Sequence, residues 1–234
     1  MELDFAFHTL DDEMSRHTSR GNRVFDQIRR AIVQMQLRPG NSLSEAEVAR
    51  QLGVSRQPVR EAFIKLAEIG LVEVRPQRGT FVVLISKREV QNARFIREAV
   101  EVAVARKAAA EAGAADIEKL RAIVDEQKSM AAADDHAGFL RLDEAFHETL
   151  AASADCGHAW RVLESLKAQM DRVRFLSIAD ATPYAKLIDQ HTAIVDAIAA
   201  HAPDQADAAI RAHMAEILIS LPQLAAAHPE LFSD

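Results

Sequence analysis

The chain has 234 residues, 49% of them hydrophobic and 27% charged, with a formal net charge of −7. That length suits one large domain or two modest ones, each able to bury a core without staples. The single cysteine, Cys156, excludes a disulfide framework and a multi-cysteine zinc site. No apolar run approaches the ~18 residues of a membrane span, and the acidic start lacks the basic region of a signal peptide. The expected location is a reducing cytoplasm, with no membrane partner.

Charge is unevenly distributed. The first 14 residues carry five acids and no base. Residues 15–84 hold 12 Lys/Arg against 6 Asp/Glu, a net of +6, whereas residues 85–234 have a net of −8. A basic module joined to an acidic one suggests that the first part contacts nucleic acid. Proline and glycine usage changes at the same place: there is no proline from Thr80 to Thr182, the mark of a long helical stretch. The expected organisation is a flexible acidic tail over 1–18, a DNA-binding domain over 19–85 and an all-helical domain over 86–234.

In chain order, Val24, Ile28, Ile32 and Met35 share a helix face, and Pro39-Gly40 stops that helix. Ser44-Glu-Ala-Glu47 reads as a capping box opening a second helix, closed by Gly53. Ser55 caps a third, with Pro58 tolerated in its first turn. Two strands, Leu71–Arg75 and Thr80–Leu84, flank a turn at Pro76-Gln-Arg-Gly79. Ala49, Gly53 and Val59 fall where a helix-turn-helix needs a small crossing residue, a positive φ and an inward apolar side chain. The fold class is therefore mostly α: an N-terminal winged helix-turn-helix followed by a bundle of six or seven helices. Such a turn aims the third helix at the major groove, with Arg56, Gln57 and Arg60 on its N-terminal half and Arg78-Gly79 at the wing tip. Arginine's planar fork suits guanine edges or phosphates. The other reading has Arg56 and Arg60 solvated, or paired with Glu61 and Glu45.

Leu37-Arg-Pro-Gly-Asn-Ser-Leu-Ser-Glu45, Gly53-Val-Ser-Arg-Gln-Pro-Val-Arg-Glu-Ala62, Gly70-Leu-Val-Glu-Val74 and Arg78-Gly-Thr-Phe-Val82 together resemble the GntR family of bacterial transcription regulators. The resemblance covers nearly all of residues 22–84. It implies that Arg56, Arg60 and the wing bind double-stranded operator DNA. One departure stands out: Glu45-Ala46-Glu47 has alanine where many members have arginine.

In the second part, Ser86-Lys-Arg-Glu89 opens a helix to about Glu111. Further helices are expected near 116–133, 135–152, 158–178, 183–200 and 203–220, the last ended by Pro222. Within 158–178, the stripe Val162, Leu166, Met170 and Val173 is expected to line or flank a cavity. Asp143 and His147 are four apart on one helix and share a face. His191 and His213 fall in two other helices. One carboxylate and three imidazoles suit Zn, Ni or Mn. An Asp–His pair at this spacing is more often a surface contact, and spacing does not choose between the two.

Arg97-Glu-Ala-Val-Glu101, Asp143-Glu-Ala-Phe-His147, His191-Thr-Ala-Ile-Val-Asp-Ala-Ile198 and Arg211-Ala-His-Met214 look like the FCD effector domain of the FadR subgroup of that family. This resemblance covers roughly residues 85–225. It implies a divalent metal on Asp143, His147, His191 and His213, and a small carboxylate effector met by Arg97. It also implies a homodimeric repressor rather than an enzyme. Two rivals remain: a metal that is structural or itself the signal, and a metal hydrolase fused to a DNA-binding module.

Overall fold

The computed structural model of the protein describes Phe7 and residues 20–234. The expected flexible tail lies outside the described residues except at Phe7. That residue is buried, and its N–H donates to Gln51 Oε1 at 2.9 Å. The chain divides into two compact units: one runs to Ser86 and takes in Glu230–Ser233, and the other spans Lys87–Pro229.

The first unit is a winged helix. Helix α1 (Arg20–Val33) buries Val24, Ile28 and Ile32, as the spacing predicts. Met35 does not extend that face: its φ of 57° ends the helix, and Leu37 is buried instead. A short strand β1 (Ser42–Leu43), absent from the sequence reading, pairs with β3 (Gly79–Val82), which also pairs with β2 (Val72–Arg75) in an antiparallel sheet of order β1-β3-β2. Helices α2 (Glu45–Leu52) and α3 (Arg56–Glu68) form the helix-turn-helix. Ser44 caps α2 by accepting from Glu47 N–H. The Glu47 carboxylate turns to Arg50 and Gln51 rather than back to the cap, so only half the capping box forms. Gly53 closes α2 at φ 65°, in the left-handed region. Ala49 and Val59 are buried between the helices.

The second unit holds seven helices: α4 (Lys87–Glu111), α5 (Ala114–Ala132), α6 (His136–Ser153), α7 (Gly157–Leu166), α8 (Ala168–Asp180), α9 (Tyr184–Ala199) and α10 (Pro203–Ala227). Phe139, Phe146, Leu150, Trp160, Ile194 and Ile210 sit in its core. Two expectations fail here. The single helix over 158–178 is broken at Lys167, which is buried with its ammonium between Glu144 and Asp171. Val162 and Leu166 are consequently exposed, while Met170 and Val173 are buried. Pro222 lies inside α10 rather than ending it. Leu218 and Pro222 face solvent, where water can take the carbonyl that proline cannot bond, and buried Leu221 and Leu224 hold the helix to the core.

Helix α10 runs antiparallel to α4, since Arg106 pairs with Asp204 and Arg211 with Glu98. The chain ends in a 3₁₀ turn and β5 (Phe232–Ser233), paired in parallel with β4 (Ile85–Ser86). Ile85–Ser86, immediately ahead of α4, is thus itself a strand.

Candidate metal centre and DNA-binding face

Three helices bring Asp143 and His147 (α6), His191 (α9) and His213 (α10) together. One ligand atom from each lies within 4.8 Å of all the others, and all four residues are buried. The spread is close to that of atoms sharing one ion at about 2.1 Å. The rings are held by packing: Phe146 stacks on His191 at 4.2 Å, and Trp160 lies parallel to His147 at 6.0 Å.

The outer nitrogens fix the chemistry of the inner ones. His147 Nδ1 lies 2.6 Å from Glu101 Oε2. A carboxylate only accepts, so Nδ1 carries the proton and Nε2 is bare. His213 Nδ1 lies 3.0 Å from Gln190 Oε1, and Gln190 Nε2 donates to Glu216 at 3.4 Å. Glu216 can only accept, which sets the amide orientation and again places the His213 proton on Nδ1. His191 Nδ1 meets Gln127 Oε1 at 2.8 Å. The two inner nitrogens of His147 and His213 therefore face each other 3.2 Å apart with no proton between them. His191 Nε2 and Asp143 Oδ1, 3.6 Å apart, are buried without a hydrogen-bond partner. Buried lone pairs that converge without a proton call for a cation. The donor set therefore fits a divalent metal, and each imidazole has the outer partner that ligating histidines need.

Electrostatics agree. Burial pushes His191 down to about 3 and His213 well below the ordinary histidine range, keeping both neutral as ligands must be. Burial opposes ionisation of Asp143, but Arg174 and the three histidines outweigh it and hold the carboxyl below its usual range. Arg174 forms an ion pair with Asp143.

Arg97 is fully buried. Its Nε donates to Glu101 at 2.6 Å, so the pair is internal rather than the surface contact that i,i+4 spacing suggests. Its Nη1 and Nη2 have no hydrogen-bond partner. Arg97 lines a cavity with Arg174, His213, Met170, Met214 and Ile217. Two free N–H-bearing nitrogens of one fork match the two oxygens of a carboxylate.

On the winged helix, Arg56, Gln57 and Arg60 are exposed at the start of α3, and Arg78 and Gly79 are exposed at the strand turn. Gly79 has φ 107°. Arg60 makes a two-bonded ion pair with Glu45, at 3.0 and 2.9 Å, and Gln57 donates to Glu61. The structure adds Glu101, Gln127, Gln190 and Arg174 to the residues the sequence singled out. Only Glu101, four residues from Arg97, carried a signal.

No helix among the described residues is long and apolar enough to cross a membrane. Residues 20–82 match the family described as bacterial regulatory proteins, gntR family, and residues 93–216 match the FCD domain. The chain is 38% identical over 226 residues to the HTH-type transcriptional repressor RspR of Escherichia coli K12, covering 97% of this chain and 99% of that protein. It is 31% identical to a probable D-xylose utilization operon transcriptional repressor of Paenarthrobacter nicotinovorans, over 86% of this chain and 88% of that protein. Among solved structures, Escherichia coli McbR/YncC superimposes with a TM-score of 0.77 at 20% identity, over 88% of this chain and 99% of that one, which speaks to the fold. A GntR regulator from Rhodococcus sp. RHA1 gives 0.71 at 28% identity, over 86% and 98%. The chain belongs to the GntR family of bacterial transcription regulators and carries an FCD domain behind its DNA-binding domain.

Proposed function

We propose that the protein is a repressor whose operator affinity is set by a small carboxylate bound beside a divalent metal in the helical domain. The observation that carries this reading is the pair of bare imidazole nitrogens 3.2 Å apart beside an unpartnered third and a carboxylate oxygen. Asp143, His147, His191 and His213 hold the ion, and the ion supplies a Lewis-acidic seat for one end of an anion. Arg97, with two unused nitrogens on the same cavity, binds the carboxylate. The repressor names of two relatives support the direction of control.

DNA is bound by a homodimer. Two half-sites require two winged helices at fixed separation. Arg56, Gln57 and Arg60 face base edges, and the wing tip Arg78-Gly79 lies on the backbone. The effector acts by binding two arrangements of the protein unequally.

The test is elemental analysis of purified full-length protein, before and after incubation with Zn, Ni and Mn, with thermal unfolding followed in parallel. The expected result is one ion per chain and a higher Tm on loading, both lost in His191→Ala. Protein that takes up none of the three ions would refute the metal assignment.

A further inference from the structure

The cavity beside the metal centre extends past the groups that a carboxylate uses. His213 and Ser220 both line it and are seven residues apart on α10, about 10 Å along the axis. Helix α9 runs antiparallel to α10, because Gln190 meets His213 while Lys186 meets Glu216. That register brings Thr182, just ahead of α9, level with Ser220. The cavity thus has a metal-side end at Arg97, Arg174 and His213, and a far end at Thr182 and Ser220, with Glu216 between them.

Two features of the far half point to a ligand group. Thr182 is 2% exposed and its Oγ1 has no hydrogen-bond partner. A buried hydroxyl in that state is costly, and valine would fill the same space without the cost. Glu216 is also buried. It accepts from Lys186 at 2.7 and 2.9 Å and from Gln190 at 3.4 Å. A carboxylate offers about four acceptor sites, so capacity remains toward the cavity. Lys186 already balances its charge, so the group it accepts from is an uncharged donor.

We propose that Thr182 and Glu216 are specificity-determining residues that select an effector bearing a hydroxyl group remote from its carboxylate. The proposal rests on the carboxylate reading given above. The ligand hydroxyl donates to Glu216 and accepts from the Thr182 hydroxyl. Through Gln190, the same contact reaches Nδ1 of His213. Glu216 is therefore also a positioning residue for a metal ligand.

The experiment is titration calorimetry on zinc-loaded full-length protein, using pairs of acids that differ only in a terminal hydroxyl. The pairs are acetate and glycolate, butyrate and 4-hydroxybutyrate, and hexanoate and 6-hydroxyhexanoate, with 4-aminobutyrate as a charged donor. At four or six carbons the hydroxy acid binds about tenfold tighter than its parent, because a site built to bond a hydroxyl rejects the analogue lacking it. The two-carbon pair shows no such gap. Thr182→Val removes most of the gap, while zinc content and affinity for the parent acid stay unchanged. Glu216→Gln removes most of the gap and also lowers zinc affinity, because Gln190 no longer has an acceptor-only partner to fix the His213 tautomer. Thr182→Ser keeps the gap, which separates a lost hydroxyl from a damaged fold. Equal binding within every pair, or tighter binding of 4-aminobutyrate than of 4-hydroxybutyrate, overturns the proposal and leaves the carboxylate reading standing. If no acid of either series binds the zinc-loaded protein, the carboxylate reading itself fails, and this proposal fails with it.

Discussion

His147 Nδ1 lies 2.6 Å from Glu101, and the other oxygen of that carboxylate accepts from Arg97 Nε at the same distance. One buried group therefore orients both a metal-side imidazole and the cation of the effector cavity. Burial opposes ionisation of Glu101, but the charge of Arg97 and the hydrogen bonds from His147 and Arg97 outweigh it and bring the carboxyl down to about 2. An ionised Glu101 keeps the proton on His147 Nδ1, which leaves Nε2 free to ligate.

Glu101→Gln tests that role. An amide can present either face to Nδ1, so the tautomer is no longer enforced. Metal affinity is expected to fall about 10–100-fold, the usual effect of losing an outer partner of a ligating histidine. Glu101→Ala goes further and leaves Arg97 buried without a counter-charge, at a cost of about 3–5 kcal/mol in unfolding free energy. Competition titrations with a chromophoric chelator measure the first effect, and urea unfolding of metal-free protein measures the second. Unchanged metal affinity in the Gln variant would remove Glu101 from the metal's support.

Arg97→Ala separates two roles. Arginine supplies no metal ligand, so the variant still takes up its ion at saturating metal, with an affinity lowered only by what Arg97 contributes to keeping Glu101 ionised. The two guanidinium nitrogens that face the cavity are lost, and carboxylate binding goes with them. Calorimetry with the acids named above is the readout, and acid affinity equal to wild type would refute the clamp.

Metal-free protein has a definite pH dependence. His191 is held at about 3 and His213 well below 6.5, both by burial, so the native state takes up protons later than the unfolded chain. Their contribution to stability is complete above about pH 6.5 and is lost as pH falls from there toward 3. The slope approaches about 1.4 kcal/mol per pH unit for each histidine well below pH 6.5. Asp143 and Glu101, both lowered, add the same sign only below the ordinary carboxylate range. Loaded protein resists acid further, because an ion that binds only the folded state stabilises it by about 2.7 kcal/mol at a hundredfold excess over Kd. Unfolding midpoints of metal-free protein that are flat from pH 7 to 5 would contradict the neutral-histidine arrangement.

The winged helix was legible because its signals are local. Ser44 and Gly53 each act within a few residues of the element they start or stop, whereas α1 has already ended at Val33, ahead of the Pro39-Gly40 stop read from the sequence. Asp143 and His147 share a helix face, so they too could be paired from spacing. His191 and His213 gained a role only through resemblance, since nothing local brings α9 and α10 to α6. The outer partners were invisible for the same reason: Gln127 lies 64 residues from His191, and Gln190 lies 23 from His213. The break at Lys167 has no glycine or proline to announce it. Pro222 announced an end that did not occur, because buried Leu221 and Leu224 outweigh one missing hydrogen bond at an exposed position.

Arg60 is paired with Glu45 across the helix-turn-helix, with 60% and 32% of the two side chains exposed. The hydrogen bond from Arg60 holds the Glu45 carboxyl below its ordinary range. An exposed pair of this kind adds little to stability, so the same arginine remains available to DNA. Arg60→Ala and Arg56→Ala are each expected to leave the unfolding midpoint nearly unchanged and to weaken specific binding by about 1–3 kcal/mol, with relaxed preference at one operator position. Arg78→Ala is expected to weaken binding to all sequences alike and to lower the salt slope by about 1, the signature of a lost phosphate contact. Glu45→Ala frees Arg60 from its partner and removes a negative charge from the DNA-facing side, so its binding tightens most at low salt. Anisotropy titrations on an operator selected from a random duplex library, run across a salt series, resolve all four variants. Arg56 and Arg60 variants that bind that operator as tightly as wild type would show that α3 is not the reading helix.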